Sequence, residues 1–279
     1  MSNPFAELAA TIPSNIMQYY VIAMFLLVIG GTVLDMLHKK SAQYFFENAK
    51  KAEKSAKTTV SGGDKVSIAV STLANEVLTS SEFQNTRRRI SHLFTMYGFI
   101  VFVASTAWLI FGYTSGDATS PTWLNQAWHL GALSLCFGGY WFWFFIRVDV
   151  AAEGVNWYDL RMADLFIVSC LMMATFALLW SGTMGQGALN TLFFALFIVA
   201  STTLFSTVMW SKFAHMFFKP AAAYQKKITR ADGSREGLPA DFDLTDPEVQ
   251  RKYPDVPQYM GTNPPNMGPG IRRESPNHY

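Results

Sequence analysis

Leu189–Trp210 reads LNTLFFALFIVASTTLFSTVMW, a stretch without a single charge. A helix needs about 20 predominantly apolar residues to cross a hydrocarbon core about 30 Å thick. This stretch meets that requirement, and four more upstream do so too. They are Ala163–Trp180, Ala127–Ile146 (AWHLGALSLCFGGYWFWFFI), Leu93–Tyr113 (LFTMYGFIVFVASTAWLIFGY) and Ile16–Leu34 (IMQYYVIAMFLLVIGGTVL). The first segment in chain order opens on Gln18 and two tyrosines, which suits a helix entering at the interface. No basic residue precedes it and no small-residue cleavage site precedes Asp35, so it reads as a span and not as a cleaved signal. The expected fold is all-α: a polytopic membrane bundle of five transmembrane helices.

Composition agrees. Of the 279 residues, 50% are hydrophobic and 15% charged, whereas an average soluble domain is about 25% charged. Mean hydropathy is only +0.16 because two long polar stretches dilute the apolar ones.

The charges sit on alternate connections. Ten of the 22 Lys and Arg lie in Leu37–Ser91, Arg147 and Arg161 lie between the third and fourth spans, and the remaining ten lie from Lys212 onward. The first 15 residues and the Ser115–Gln126 and Ser181–Ala188 loops hold none. Basic loops stay cytoplasmic. The N-terminus is therefore expected outside and the C-terminus inside. Four regions follow: 1–36 with the first span, 37–91 as a cytoplasmic connection, 92–215 as a four-helix core, and 216–279 as a Pro-rich docking tail.

Within the connection, KKAEKSAK at Lys50–Lys57 is a solvated basic run broken by Ser61-Gly62-Gly63. From Val66 to Phe83, the residues Val66, Val70, Leu73 and Val77 recur at three- or four-residue spacing. That predicts an amphipathic helix, lying on the membrane, against a partner, or simply capping the bundle. Ala221–Tyr279 holds eight prolines and no apolar periodicity, as in YPDVPQYMGTNPPNMGPG. Alone it is expected to be extended or disordered. Its spaced aromatics, Phe242, Tyr253 and Tyr259, read as a docking arm for a soluble protein, or as a plain tail.

No nucleotide loop, zinc spacing or hydrolase constellation appears. Cys136 and Cys170 lie inside apolar runs and offer neither a disulfide framework nor a CxxC pair. Apart from Asp164 at the very start of the fourth span, Asp, Glu, Lys and Arg are missing between the predicted helix ends, and no pair of helices is broken by Gly or Pro. Both features argue against a pump or small transporter. Histidines remain. His278 is in the tail and His38 belongs to a basic interface cluster. His129 opens the third span on the outer side. His92 opens the second span and His215 closes the fifth, which puts both imidazoles at the depth of the inner surface. A bis-histidine b-type haem needs two ligands at matched depth with apolar walls, here Phe94, Gly98 and Phe213. Two interface histidines bonded to headgroups or backbone satisfy the same spacing.

RRRISHLFTMYGFI at Arg87–Ile100, Arg147 at the exit of the third span, Asp164-Leu165-Phe166 at the start of the fourth, and SKFAHMFFKPAAAY at Ser211–Tyr224 form an ordered series. Together, over about Leu73 to Tyr224, they resemble the membrane subunits of quinone-interacting oxidoreductases. That group includes the gamma subunit of respiratory nitrate reductase and membrane subunits of heterodisulfide-reductase-like complexes. The chain has no fused ferredoxin domain and no second histidine between Thr191 and Phe205. Within the group it is therefore most similar to the membrane anchors of dissimilatory adenylylsulfate reductase.

The resemblance implies a location in the bacterial inner membrane and a cytoplasmic flavin/iron–sulfur oxidoreductase as partner, docked on the 66–83 helix and the 221–279 tail. It implies membrane quinone as the electron-transfer substrate and, through His92 and His215 as axial ligands, at most one haem b. His129 is a weaker candidate for a quinone contact on the outer side. Tyr140, Trp141 and Trp143 are the aromatic face expected beside the quinone. A haem-free structural anchor is the alternative implied by the incomplete histidine set.

Overall fold

The computed structural model describes residues 3–81, 83, 85–114, 119–149, 153–235 and 246–252, and among them every regular element is helical. In chain order these are α1 (Pro4–Leu8), α2 (Ser14–Lys39), α3 (Ser41–Lys54), α4 (Gly62–Thr72), α5 (Thr86–Tyr113), α6 (Thr122–Trp141), α7 (Leu165–Gly182), α8 (Ala188–Ser206), α9 (His215–Ala231) and α10 (Pro247–Lys252). Wider π turns continue α4 through Leu73–Leu78 and α6 through Phe142–Ile146. Five helices are long and apolar enough to cross a membrane: Ser14–Lys39, Thr86–Tyr113, Thr122–Ile146, Met162–Gly182 and Ala188–Ser206.

Each of the five apolar segments falls on one of these helices, with shifted ends. The second helix starts seven residues earlier than Leu93 because Asn85 caps it, its side chain accepting from the amides of Arg87 and Arg88. The fifth stops at Ser206 instead of Trp210, where the chain turns toward a short 3₁₀ turn at Lys212–Ala214. The first runs on to Lys39, and Lys40 then takes a left-handed conformation (φ 52°) that starts α3. The amphipathic 66–83 helix is shorter than predicted: it ends at Leu78, and Ser80 at φ 49° turns the chain.

The chain forms two compact units. One comprises residues 1–42 and 79–219, the other 43–78 and 220–279. In the first, α5 pairs with α6, α6 with α7 and α7 with α8, while α2 packs on α8 and α5. The α5–α6 approach is close because glycines line it. A Cβ on Gly131 would stand 2.7 Å from the Phe102 backbone nitrogen, and one on Gly138 2.5 Å from the Ser91 carbonyl. Small residues at facing positions allow such backbone contact between apolar helices. The helices also satisfy their own hydroxyls: Thr95, Thr106, Ser201 and Thr203 each bond the carbonyl four residues back. At one end of the bundle α1 tucks Phe5 edge-on against Trp128 and Trp180, with centroids 5.8 and 5.3 Å away.

The second unit holds most of α3, α4 with its π turn, α9 from Pro220, and α10. The amides of Lys57 and Thr58 both donate to the Asp232 carbonyl, and Lys227 reaches Glu76 at 2.9 Å. So the start of the region expected to lack a fold, Ala221–Ala231, is helical and packed. Phe242, Tyr253, Tyr259 and His278 lie outside the described residues.

Candidate functional site

His92 lies on the second turn of α5. Its Nδ1 is 3.0 Å from the hydroxyl of Ser80, and its ring is 4.9 Å from that of Phe83. The Arg89 Nε donates to the Thr79 carbonyl, so His92 and Arg89 together clamp the Thr79–Phe83 turn against α5. Two cations also lie over the Phe83 ring: Arg88 at 5.5 Å and Lys219 at 4.9 Å. Lys219 stands one helical turn after His215, the first residue of α9. The elements carrying His92 and His215 therefore meet at one end of the bundle. The side chain of His215 lies outside what the structure describes.

A cluster of phenylalanines lies just before α9. Phe213, 3% exposed, sits among Phe99 of α5, Phe166 of α7 and Phe205 of α8, at centroid distances of 6.4, 5.3 and 6.1 Å. Its amide is held by the Ser211 hydroxyl. The sequence reading placed Phe213 as a wall of a haem slot, and the structure buries its ring against α5, α7 and α8. Elsewhere, among the described residues, no group of three or more His, Cys, Asp or Glu side chains is arranged to hold a metal ion.

Tyr140, Trp141 and Trp143 do not share one face. Tyr140 bonds Thr175 of α7 at 2.7 Å and stacks on Phe144. Trp141 lies against Phe137, which meets Phe94 of α5. Trp143 is buried under the Arg147 guanidinium at 4.2 Å. Arg147 itself donates to the carbonyls of Asn156 and Asp159 and to the Asp164 carboxylate, closing the loop between α6 and α7. Arg88 ties the start of α5 to the same loop through Glu153 at 3.1 Å.

His129 is buried at the opposite end. Its Nδ1 donates to the Asn125 carbonyl at 2.7 Å, and its Nε2 pairs with the Ser181 hydroxyl at 2.8 Å. Both ring nitrogens are thus engaged in joining α6 to the end of α7, beside the Trp128–Trp180 cluster. Sequence reasoning missed Ser80 and its contact with His92. No local pattern marks a serine in a left-handed turn twelve residues before its partner.

Compared with protein-family models, characterised proteins and solved structures, the chain matches none.

Proposed function

We propose that this chain is a multi-pass subunit of a bacterial inner membrane, N-terminus outside and C-terminus inside. In this reading it anchors a cytoplasmic flavin/iron–sulfur oxidoreductase, by resemblance adenylylsulfate reductase, and brings it within reach of membrane quinone. The observation that carries the reading is the inverted amphipathicity of α4. Val66, Val70 and Leu73 are 64%, 61% and 53% exposed. The opposite face, with Ile68, Ala69, Thr72 and Glu76, is turned into the unit. A helix that leaves its most apolar stripe open is built to be covered. The basic residues favour the cytoplasm for this unit, since all 22 lie on segments assigned to one side.

In the haem-free form of the subunit, quinone meets the partner's redox centres near the inner surface. The test uses the full-length chain in liposomes with purified adenylylsulfate reductase. The reductase is expected to sediment with the vesicles, and Val66→Asp/Val70→Asp to release it. A reductase that stays soluble with the unaltered chain overturns the reading. A reduced-minus-oxidised spectrum of the purified chain is expected to be featureless. A b-type band lost in His92→Ala and His215→Ala would restore the haem relay.

A further inference from the structure

We infer that the segment Val155–Met162, between α6 and α7, is an interfacial wedge covered by phospholipid. It seats Trp157, Tyr158, Leu160 and Met162 in the headgroup layer of the leaflet on its own side of the membrane. The inference rests on the membrane-subunit reading above and deepens it, assigning this face to lipid and not to the soluble partner.

The segment reads VNWYDLRM. Its four large apolar side chains, Trp157, Tyr158, Leu160 and Met162, are 57–67% exposed. A slack chain is not the reason. The Val155 amide donates to the Arg147 carbonyl and the Asp159 amide to the Asn156 carbonyl. From within, the buried Arg147 guanidinium holds the carbonyls of Asn156 and Asp159. With the backbone tied inward by these bonds, the apolar side chains are held out. Single exposed apolar residues need no explanation, but a contiguous patch of them marks a surface meant to be covered.

What covers it follows from its neighbours. Along α6 and its π turn, Leu130, Leu133, Phe137, Phe144 and Phe145 face outward, on a helix long and apolar enough to cross a membrane. Phe144 stacks on Tyr140 with centroids 6.0 Å apart, and the Trp157 ring lies 6.4 Å from Phe144 and 5.6 Å from Tyr158. One line of rings thus runs from the span into the loop, so the lipid that wets the span reaches Trp157. Tryptophan and tyrosine, apolar bodies with a polar tip, concentrate at the boundary between hydrocarbon and water. Asp159 and Arg161, the charged residues of the segment, pair at 3.0 Å, and the long stem of Arg161 lets its head stay among phosphates. A soluble partner on this face would still leave the Phe144 end of the line to lipid. Lipid covers the whole of it.

The experiment uses the full-length chain with Cys136→Ala and Cys170→Ala, carrying one new bimane-labelled cysteine, in phospholipid nanodiscs. Leu160→Cys and Met162→Cys each report on the wedge, and Leu133→Cys on the outward face of α6. All three sites are exposed, so the label displaces no core contact. Emission from both wedge labels is expected to fall more with phospholipid brominated on the upper acyl chain than with aqueous iodide. The reverse order at the wedge, with Leu133 still quenched by brominated lipid, overturns the inference, gives the face to a soluble partner and leaves the membrane reading standing. Shielding of the wedge from both quenchers means that a second copy of the chain covers it, which overturns the inference too. If brominated lipid does not quench even Leu133, the membrane-subunit reading fails together with the wedge.

Discussion

The Arg147 guanidinium, 1% exposed, lies 2.5 Å from the Asp164 carboxylate. Asp164 also accepts from the backbone amide of Arg161, while Arg147 holds two carbonyls of the intervening loop and covers Trp143. One buried cation thus satisfies the connection from α6 to α7 and sets where α7 begins. Removing one partner of a buried pair leaves the other uncompensated, at a cost of about 3–5 kcal/mol. Arg147→Met is expected to show a loss of that size in thermal unfolding of the detergent-solubilised protein. Asp164→Asn, which still accepts from both arginines, is expected to lose less than half as much.

Two glycines of α5 separate packing from propensity. A Cβ on Gly98 would press on the backbone of Leu135 and stand 2.9 Å from the Gly131 carbonyl, whereas one on Gly112 meets only the Trp108 ring at 3.5 Å. Backbone cannot step aside as a side-chain tip can, and overpacking costs typically 1–3 kcal/mol. Gly98→Ala is expected to be destabilising by at least ~2 kcal/mol. Gly112→Ala is expected to be neutral or stabilising by up to ~1 kcal/mol, the helix preference for alanine. Equal effects of the two substitutions in denaturation curves would show that α5 and α6 do not touch at Gly98.

Length and polarity made the five long helices legible, because a charge-free run leaves few alternatives to a buried or membrane-crossing helix. Their ends were less so. Asn85 moved a helix start by seven residues through a cap that hydropathy does not register, and the polar Asp35 hid the last turn of α2. The histidine pair was legible only as shared depth. Depth is read from topology, but packing is not, and the burial of Phe213 among Phe99, Phe166 and Phe205 is set by contacts distant in sequence. The helix over Ala221–Ala231 went unread because its burial depends on α4 and on the Lys57–Asp232 bonds, which are distant in sequence.

At the other end, Phe5 fills a niche between two tryptophans from α6 and α7 and is 2% exposed. Phe5→Ala is expected to cost about 3–5 kcal/mol, the range for emptying a buried aromatic site. Tryptophan emission should shift to longer wavelength, since Trp128 and Trp180 both lose their cover. An unchanged emission spectrum would mean that α1 does not seat there in the folded protein.

Deleting Gly237–Tyr279 separates the two surfaces assigned to the partner. Every bond described for the second unit between its halves lies before that point: Lys57 and Thr58 to Asp232, Thr58 to Ala231, and Lys227 to Glu76. Ser234 closes the turn by donating its amide to the Asp232 carboxylate. The truncated chain should therefore unfold at the same temperature as the full one, and its α4 stripe should stay as it is. If the tail is a docking arm, sedimentation with liposomes will show the reductase released by the truncation as fully as by Val66→Asp/Val70→Asp. If the reductase stays bound to the truncated chain and leaves only with the aspartates, α4 is the tether and the proline-rich segment has another use. Two linked sites raise avidity far above either alone, so partial loss in each variant and complete loss in their combination is the third readable outcome, and it assigns the partner to both.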